Sequence, residues 1–269
     1  MAVESAPLVV ELPDGSKREV PRGSTAGDLA AQISRSLAKK AIAARVDGQL
    51  TDLFRPIEHD AKVAIVTQDD PEALGVLRHS TAHLMANAVQ RLFPGAKVTI
   101  GPVTSDGFYY DFDYERPFTP EDLERIEAEM RKLSNEDQKV SREEVPASET
   151  QAKARQFEQG GEPYKAEILR DILAANPEAV ISIYHQGAWS DLCVGPHVAS
   201  TGVIKHFKLL NTAGAYWRGN EKNPQLQRIY GTAWESREAH KAHLEQLAEA
   251  ERRDHRRLGA ELDLFSFPD

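Results

Sequence analysis

Two short segments of the sequence concentrate side chains that can bind metals or transfer protons. His79 and His83 lie four residues apart in the segment His-Ser-Thr-Ala-His, and Cys193 and His197 lie four residues apart in Cys-Val-Gly-Pro-His. On a helix, side chains at positions i and i+4 project from one face a single turn apart, so the first two imidazoles can meet one target. The Gly-Pro pair disfavours a helix in the second segment, which we expect to be a loop or a strand end.

Three imidazoles and one thiol are compatible with more than one kind of site. Their number and type match the ligands of a zinc site. Without a metal, the same groups can orient a water molecule and a hydroxyl group for hydrolysis. A third alternative is covalent catalysis, with Cys193 attacking as a thiolate and His197 acting as its base. Each pair alone is also compatible with a surface or core role, so the hypothesis rests on the two pairs together.

The elements that must position these residues form an α+β pattern. Residues 72–93 lack proline and repeat apolar side chains at three- and four-residue steps, which predicts a long helix carrying both histidines of the first segment. The other predicted helices span residues 119–133, 148–159 and 236–257, and the predicted strands lie within 97–113 and at 140–145, 181–184, 189–193, 207–213 and 228–233.

The beginning of the chain predicts a separate, smaller domain. Residues 9–13 and 17–20 flank an Asp-Gly turn, which indicates a β-hairpin. A helix is predicted over 26–37 and further strands over 42–46 and 63–67. This order is typical of a β-grasp, or ubiquitin-like, fold. A polar segment ending in proline, Gln-Asp-Asp-Pro at 68–71, marks the predicted domain boundary.

The composition is that of a globular protein, with 41% hydrophobic and 28% charged residues. The longest apolar runs fall well short of the roughly 20 residues needed to cross a bilayer, and no basic cluster precedes an apolar core at the start. We therefore expect no membrane partner and a cytoplasmic location. The single cysteine excludes an intramolecular disulfide and fits a reducing compartment.

The net charge of −9 argues against binding of DNA or other nucleic acid through the overall field of the molecule. An RNA held by only one end needs no more than a local basic surface. Lys205, Lys208 and Arg218 are the candidates for such an RNA-binding surface, and an ordinary solvated surface is the alternative. Trp217 directly precedes Arg218, and Tyr230 follows twelve residues after it. Both aromatic side chains are expected in the core.

Four motifs together are similar to the two amino-terminal domains of bacterial threonyl-tRNA synthetases. They are Arg-His-Ser-Thr-Ala-His-Leu at 78–84, Ile-Gly-Pro at 100–102 with Gly-Phe-Tyr-Tyr-Asp at 107–111, Asp-Leu-Cys-Val-Gly-Pro-His at 191–197, and Thr-Ala-Gly-Ala-Tyr-Trp-Arg-Gly at 212–219 followed by Gln-Arg-Ile-Tyr-Gly-Thr-Ala at 227–233. The resemblance implies a β-grasp TGS domain at 1–68 and an α+β editing domain at 69–235, shared with alanyl-tRNA synthetase. Residues 236–269 would be a linker helix and the start of a catalytic domain missing from this sequence.

The resemblance also implies a site and an activity. The implied catalytic residues are His79, His83, Lys165, Cys193 and His197, and the implied substrate-binding residues are Gly101, Tyr110 and Asp191. The implied reaction is hydrolysis of the ester in tRNA(Thr) wrongly charged with serine, at the tRNA 3′ end, while threonyl-tRNA(Thr) is spared. No metal is implied at this site in the threonyl enzymes, whereas the alanyl relatives bind zinc through the same quartet. ATP and the zinc of the synthetic site would belong to the missing catalytic domain.

On this resemblance, we expect Lys165 and a pocket histidine to hold a water near the ester carbonyl. His79 would contact the terminal ribose hydroxyl, Asp191 would bind the serine amine or hydroxyl, and Cys193 would provide packing. The full-length enzyme would be a dimer and this chain a monomer. Two alternatives remain open: a zinc-dependent hydrolase of another aminoacyl ester, and a non-enzymatic module that binds RNA or a protein partner.

Overall fold

The computed structural model describes residues 6–253 of the chain. The strands within this range are β1 (Leu8–Glu11), β2 (Lys17–Val20), β3 (Ala41–Val46), β4 (Gln49–Thr51), β5 (Ala61–Thr67), β6 (Lys97–Val98), β7 (Phe108–Asp113), β8 (Val140–Val145), β9 (Ile181–Gln186), β10 (Trp189–Leu192), β11 (His206–Tyr216) and β12 (Gln225–Trp234). The α-helices are α1 (Ala26–Ile33), α2 (Arg35–Lys40), α3 (Pro71–Leu92), α4 (Pro120–Asn135), α5 (Ala147–Gln159), α6 (Pro163–Ala175) and α7 (Arg237–Arg252).

The first domain is a five-stranded sheet in the order β2-β1-β5-β3-β4, with α1 packed on it. Strands β1 and β5 are parallel, and the other pairs are antiparallel. The predicted β-grasp layout is therefore confirmed. The helix predicted over 26–37 is instead two helices, because Ser34 is extended, with φ −164° and ψ 151°. Its hydroxyl accepts a hydrogen bond from Leu37 N at 3.0 Å and begins α2.

The second domain contains two sheets and a central helix, which confirms the predicted α+β class. The sheets have the orders β10-β9-β8 and β11-β12-β7-β6. Helix α3 is buried along most of its length and packs against α4, β7 and β12. Helices α5 and α6 cover the three-stranded sheet through a separate small core that includes Ala154, Leu169 and Ile183.

Helix α6 is not among the elements predicted from the sequence, although it carries Lys165. It begins with Pro163 in its first turn, where a missing backbone N–H costs nothing because that group has no partner within the helix. Leu169 is buried on the side facing the sheet. The proline and the apolar residues at helical spacing were the local signals for this element.

The two domains share packing. Ile42 and Val66 of the first domain belong to the same buried cluster as Val76 and Leu77 of α3. The predicted boundary at 68–71 falls in the turn before α3, where Asp70 accepts a hydrogen bond from the backbone N–H of Thr67 at 2.6 Å. The first domain is therefore a fixed neighbour of the helix that carries the two histidines.

Helix α7 lies at the end of the described residues, and Ser236 caps its first turn. The rest of the helix predicted over 236–257, beyond residue 253, and the predicted start of a catalytic domain lie outside the described residues. Among residues 6–253, no helix combines the length and apolar character required of a membrane span.

Candidate active site

The two pairs of metal-binding or proton-transferring side chains meet in space. Helix α3 supplies His79 and His83, and the segment after β10 supplies Cys193 and His197. The ligand atoms of all four lie within 4.8 Å of one another. The sulfur of Cys193 is 3.2 Å from Nε2 of His79 and 3.3 Å from Nε2 of His197. We call these four residues the His/Cys cluster.

The backbone around Cys193 is held by hydrogen bonds to β9. Cys193 N donates to the carbonyl of Ser182 at 3.1 Å, and the Ser182 hydroxyl donates to the carbonyl of Cys193 at 2.5 Å. Gly195 N donates to the Cys193 sulfur at 3.2 Å. Gly195 has φ 74°, and a Cβ there would lie 2.0 Å from the hydroxyl of Tyr184, so only glycine fits this position.

Ser80, between the two histidines of α3, determines the orientation of His197. Its single hydroxyl proton is donated to the carbonyl of Val76 at 2.8 Å, and its oxygen accepts from Val198 N at 3.0 Å. Nδ1 of His197, 3.1 Å away, must therefore be the donor to this oxygen. The Nε2 of a neutral His197 then carries no proton and can accept a hydrogen bond from the Cys193 thiol.

A network of buried charges lies beside the cluster. The Asp191 carboxylate is 2% exposed and accepts a hydrogen bond of 2.5 Å from the Tyr110 hydroxyl. The Lys165 ammonium lies 3.4 Å from Asp191, donates to the carbonyl of Ser190 at 3.0 Å, and is 3.7 Å from Glu162. The ammonium is thus held between two carboxylates, as buried charges must be if their desolvation is to be offset.

Burial sets the protonation of the cluster. It lowers the pKa of His79 below its ordinary value and lowers the pKa values of His83 and His197 still further. These imidazoles are therefore neutral at neutral pH. Burial also raises the pKa of the Cys193 thiol to about 12, so the sulfur is protonated and a poor nucleophile.

A cavity of about 420 Å³ opens beside the cluster. Its polar wall includes His79, Tyr110, Lys165 and Cys193, and its apolar wall comes from the segment before β7, from α6, and from residues at the start of β9 and the end of β10. This volume is within the range of about 300–1,000 Å³ found for small-ligand sites. The side chains of His79, Lys165 and Tyr110 therefore border one small space.

Three of the predicted site residues lie behind this wall. His83, His197 and Asp191 are 3%, 1% and 2% exposed and are not lining residues of the cavity. Asp191, expected to bind the serine amine or hydroxyl, is covered by Tyr110 and Lys165, which both contact it. In this arrangement its contact with the cavity is through those two side chains.

Gly101 lies on the cavity wall and allows Tyr110 to occupy its position. A Cβ on Gly101 would lie 2.2 Å from Cδ2 of Tyr110, well inside van der Waals contact. The tyrosine ring therefore packs directly on the bare backbone of Gly101. The absence of a side chain at Gly101 therefore determines the position of the Tyr110 ring on the cavity wall.

The chain matches two family models, the TGS domain over residues 8–67 and the threonyl and alanyl tRNA synthetase second additional domain over residues 181–230. It is 56% identical over 262 residues to the threonine–tRNA ligase of Pelobacter propionicus, covering 97% of this chain and 40% of that protein. The corresponding values are 55% over 258 residues, 96% and 40% for the enzyme of Methylibium petroleiphilum, and 56% over 260 residues, 96% and 39% for that of Maricaulis maris.

The chain is similar over nearly its whole length to the amino-terminal part of threonyl-tRNA synthetases. It spans about 40% of the length of these curated relatives. The His/Cys cluster draws one pair from α3 and the other from the segment that matches the second additional domain. The TGS domain, which precedes α3 in the sequence, packs against that helix.

The His/Cys cluster has the chemistry of a zinc site. Zinc bonds of about 2.0–2.3 Å in a tetrahedron bring neighbouring ligand atoms roughly 3.3–3.8 Å apart. The two nitrogen–sulfur distances are already 3.2 and 3.3 Å, and the largest separation among the four ligand atoms is within 4.8 Å. Nδ1 of His83 is buried and has no hydrogen-bond partner among residues 6–253. His79, His83, Cys193 and His197 therefore fit zinc after small movements.

The predicted RNA-binding residues lie elsewhere. Lys205 Nζ is 3.4 Å from the Ser134 hydroxyl, and Lys208 Nζ is 3.2 Å from Glu127, both on α4. Arg218 pairs with two acidic residues of α6, Glu167 and Asp171. Within the part of the chain that the structure describes, these contacts are away from the His/Cys cluster.

The two aromatic side chains expected in the core differ in burial. Trp217 is 5% exposed and packs with Tyr164 and Leu226. Tyr230 is only partly buried, with its ring centre 5.7 Å from that of Tyr109. The core expectation is therefore confirmed for Trp217 and holds less fully for Tyr230.

Some residues of the site are not among the sequence predictions. Ser80 orients His197, and its position inside the His-Ser-Thr-Ala-His segment was an available signal. Glu162, three residues before Lys165, contacts that ammonium, a spacing that would have been informative had α6 been predicted. Asp52, from the TGS domain, contacts His197 N and has no local signal of any kind.

Proposed function

We propose that the cavity beside the His/Cys cluster hydrolyses the ester of seryl-tRNA(Thr) and spares threonyl-tRNA(Thr). One observation carries the proposal: His79, Lys165 and Tyr110 converge on a single cavity of about 420 Å³ in a chain that resembles threonyl-tRNA synthetases. The substrate would be the aminoacyl ester at the single-stranded 3′ end of the tRNA, reached in the cytoplasm.

The need for such a site follows from how little serine differs from threonine. The missing methyl group is worth roughly 1–3 kcal/mol, or about 10–200-fold in selectivity, when a single site must distinguish the two. A second cavity that admits serine and sterically excludes the extra methyl group multiplies the discrimination. We assign the exclusion of threonine to the wall formed by Tyr110 on Gly101, because that wall cannot move without displacing packed backbone.

His79 is the imidazole on the cavity wall, and we assign the proton transfers to it. As the water oxygen bonds to the ester carbonyl carbon, neutral His79 takes one water proton. As the bond from carbon to the ribose oxygen breaks, the imidazolium returns that proton to the ribose oxygen. The products are serine and a tRNA with a free terminal hydroxyl, and the imidazole is regenerated.

Lys165 supplies the positive charge for the reaction. The Lys165 side chain borders the cavity, and we propose that its ammonium holds the attacking water and then stabilises the negative charge that develops on the carbonyl oxygen. Asp191 fixes this ammonium and the Tyr110 hydroxyl in place, and so acts as a positioning residue. This revises the expected direct contact between Asp191 and serine.

Cys193 acts as a hydrogen-bonding and packing group in this proposal. Its protonated sulfur faces the bare Nε2 of His197, and a pKa of about 12 leaves little thiolate at neutral pH. Covalent catalysis would require a thiolate. His83 and His197 are neutral and buried, and they pack behind the residues that line the cavity.

A zinc-dependent hydrolase is the second candidate, because the His/Cys cluster fits that ion. Zinc held by three of the four residues His79, His83, Cys193 and His197 would keep one position open for a water, whose pKa it would lower, or for the ester carbonyl. Metal analysis and chelation separate the two candidates. Stoichiometric zinc in the purified chain, with activity lost on chelation and restored by zinc, would replace the metal-free mechanism.

The deciding assay compares deacylation of seryl- and threonyl-tRNA(Thr) by the purified chain. We expect rapid release of serine, with threonine released at the spontaneous rate. His79→Ala should abolish serine release, whereas His59→Ala, at an exposed position of the TGS domain, should not change it. Serine release no faster than in buffer would refute the proposed function.

We also propose that Lys205, Lys208 and Arg218 contribute to tRNA binding, since their charged ends remain accessible in part. The side chains of Lys208 and Arg218 are each 46% exposed. Replacing one phosphate-binding lysine by alanine should reduce the slope of log affinity against log salt concentration by about 1. An unchanged slope in Lys205→Ala and Lys208→Ala would remove these residues from the proposal.

A further inference from the structure

We propose that Asp52 of the TGS domain is a positioning residue for the hydrolytic site. Its carboxylate holds the segment 193–197 in place across the domain boundary. The kinetic part of this inference rests on the proposed function, and the structural part does not.

The carboxylate of Asp52 is directed entirely at the second domain. Asp52 follows β4 and is 1% exposed. One oxygen accepts from His197 N at 2.7 Å, and the other accepts from the Tyr184 hydroxyl at 2.8 Å. Burying a carboxylate is costly unless hydrogen bonds and nearby charge offset its desolvation. A group that served only the first domain would make its contacts there.

One of the two hydrogen bonds fixes the backbone of the segment 193–197, and the other fixes the side chain of Tyr184, against which this segment packs. The first fixes the amide of His197, whose Nε2 lies 3.3 Å from the Cys193 sulfur. The second fixes the ring of Tyr184, which is 4.5 Å from the His197 ring and lies directly against Gly195. Asp52 therefore holds the segment directly at His197 and also positions the Tyr184 ring that packs against it.

The route from Asp52 to the cavity is short and continuous. From His197 it passes through the Cys193 sulfur to Nε2 of His79, at 3.3 and 3.2 Å. A displacement of about 1 Å in a reacting group can reduce a rate by about 10²-fold. Release of His197 N would allow such a displacement without removing any group that meets the substrate.

The surroundings of Asp52 make this contact part of a rigid joint. Burial raises the pKa of Asp52, while its two hydrogen bonds and the nearby charges of Arg142 and Arg55 oppose this by favouring the charged form. Arg55 and Arg142 also pair with Glu144, at 3.3 and 3.2 Å. Ile42 and Leu50 of the TGS domain pack against the main cluster of the second domain. The TGS domain would thus support the hydrolytic site from outside the cavity.

The test uses two substitutions of Asp52 in the full chain. In Asp52→Asn, the amide oxygen can still accept from His197 N and the amide nitrogen can donate to the Tyr184 oxygen. In Asp52→Ala both contacts are lost. We expect kcat for seryl-tRNA(Thr) deacylation to fall on the order of 10- to 100-fold in Asp52→Ala, with KM changed less than threefold, and to return to within threefold of the parent chain in Asp52→Asn.

Hydrogen exchange of the His197 amide gives a readout independent of activity. We expect this amide to exchange much faster in Asp52→Ala than in the parent chain, with protection retained in Asp52→Asn. The matched control is Asp69→Ala, since Asp69 is an exposed residue of the same region whose partner is Lys40. It should leave both kcat and His197 exchange unchanged.

The outcomes separate this inference from the proposed function. If the parent chain does not release serine, the proposed function fails, and His197 exchange still decides the role of Asp52. Unchanged His197 protection in folded Asp52→Ala would overturn the inference, as would an equal loss of kcat in Asp52→Asn and Asp52→Ala. If Asp52→Ala does not fold, Tyr184→Phe takes its place. It should reduce kcat several-fold at constant KM, and an unchanged kcat would overturn the inference.

Discussion

Replacing Lys165 by methionine tests how strongly the buried charges behind the cavity depend on one another. Lys165 Nζ lies 3.4 Å from Asp191, and both side chains are 2% exposed. At this separation, and with an effective dielectric constant of about 20, the attraction is about 5 kcal/mol. Loss of the ammonium leaves the Asp191 carboxylate buried without that partner. Lys165→Met should therefore lower the free energy of unfolding by about 3–5 kcal/mol, a large share of the stability of a typical domain.

Asp191→Asn removes the same attraction from the other side at a smaller cost. Lys165 then keeps Glu162 at 3.7 Å and the Ser190 carbonyl at 3.0 Å, so we expect a loss of about 1–3 kcal/mol. The double variant should be more stable than the sum of the two single losses predicts, by on the order of 1–3 kcal/mol. It should nevertheless release no serine, because the Lys165 ammonium is absent.

Urea unfolding of the parent chain, the two single variants and the double variant measures this coupling. Lys153→Met is the matched control, because Lys153 pairs at 2.9 Å with the partly exposed Glu143. Its effect should stay below about 1 kcal/mol. If the two single losses add to the double loss within about 0.5 kcal/mol, the charges are not coupled and the role given to Asp191 is wrong.

Three further predictions concern other parts of the site. Cys193→Ala should reduce serine release on the order of 10- to 100-fold without abolishing it, because the thiol contacts both His79 and His197 but does not react as a thiolate, and a complete loss would favour covalent catalysis. Gly101→Ala should displace the Tyr110 ring and destabilise the fold by about 1–3 kcal/mol, measured by urea unfolding, with a rise in KM for seryl-tRNA(Thr). Burial lowers the pKa values of His83 and His197 in the folded chain below the ordinary 6.5, so the unfolded chain binds more protons in acid. The stability that comes from keeping these imidazoles neutral should be fully present above pH 6.5 and should be lost progressively as pH falls below it, measured by urea unfolding. A free energy of unfolding that increases as pH falls below 6.5 would contradict neutral, buried imidazoles.

Local sequence patterns predicted most of the secondary structure closely. The helix predicted over 72–93 is α3, Pro71–Leu92, and the helix predicted over 148–159 is α5, Ala147–Gln159. Capping residues, prolines and apolar spacing act within a few residues, so they are visible in the chain itself. The division at Ser34 was not predicted, because the apolar repeat of 26–37 continues through a residue whose backbone is extended.

The sequence alone determined the chemical inventory of the site: a helix with two imidazoles on one face, a Cys-to-His segment that is not helical, and the resemblance that joins them to Lys165 and Tyr110. Only the tertiary structure decided which of these groups meet the cavity. It placed His79 on the wall and His83, His197 and Asp191 behind it, and it brought Asp52 to the backbone of His197 across 145 residues. Burial and hydrogen-bond partnership belong to pairs of groups distant in the chain, so no local pattern of residues encodes them.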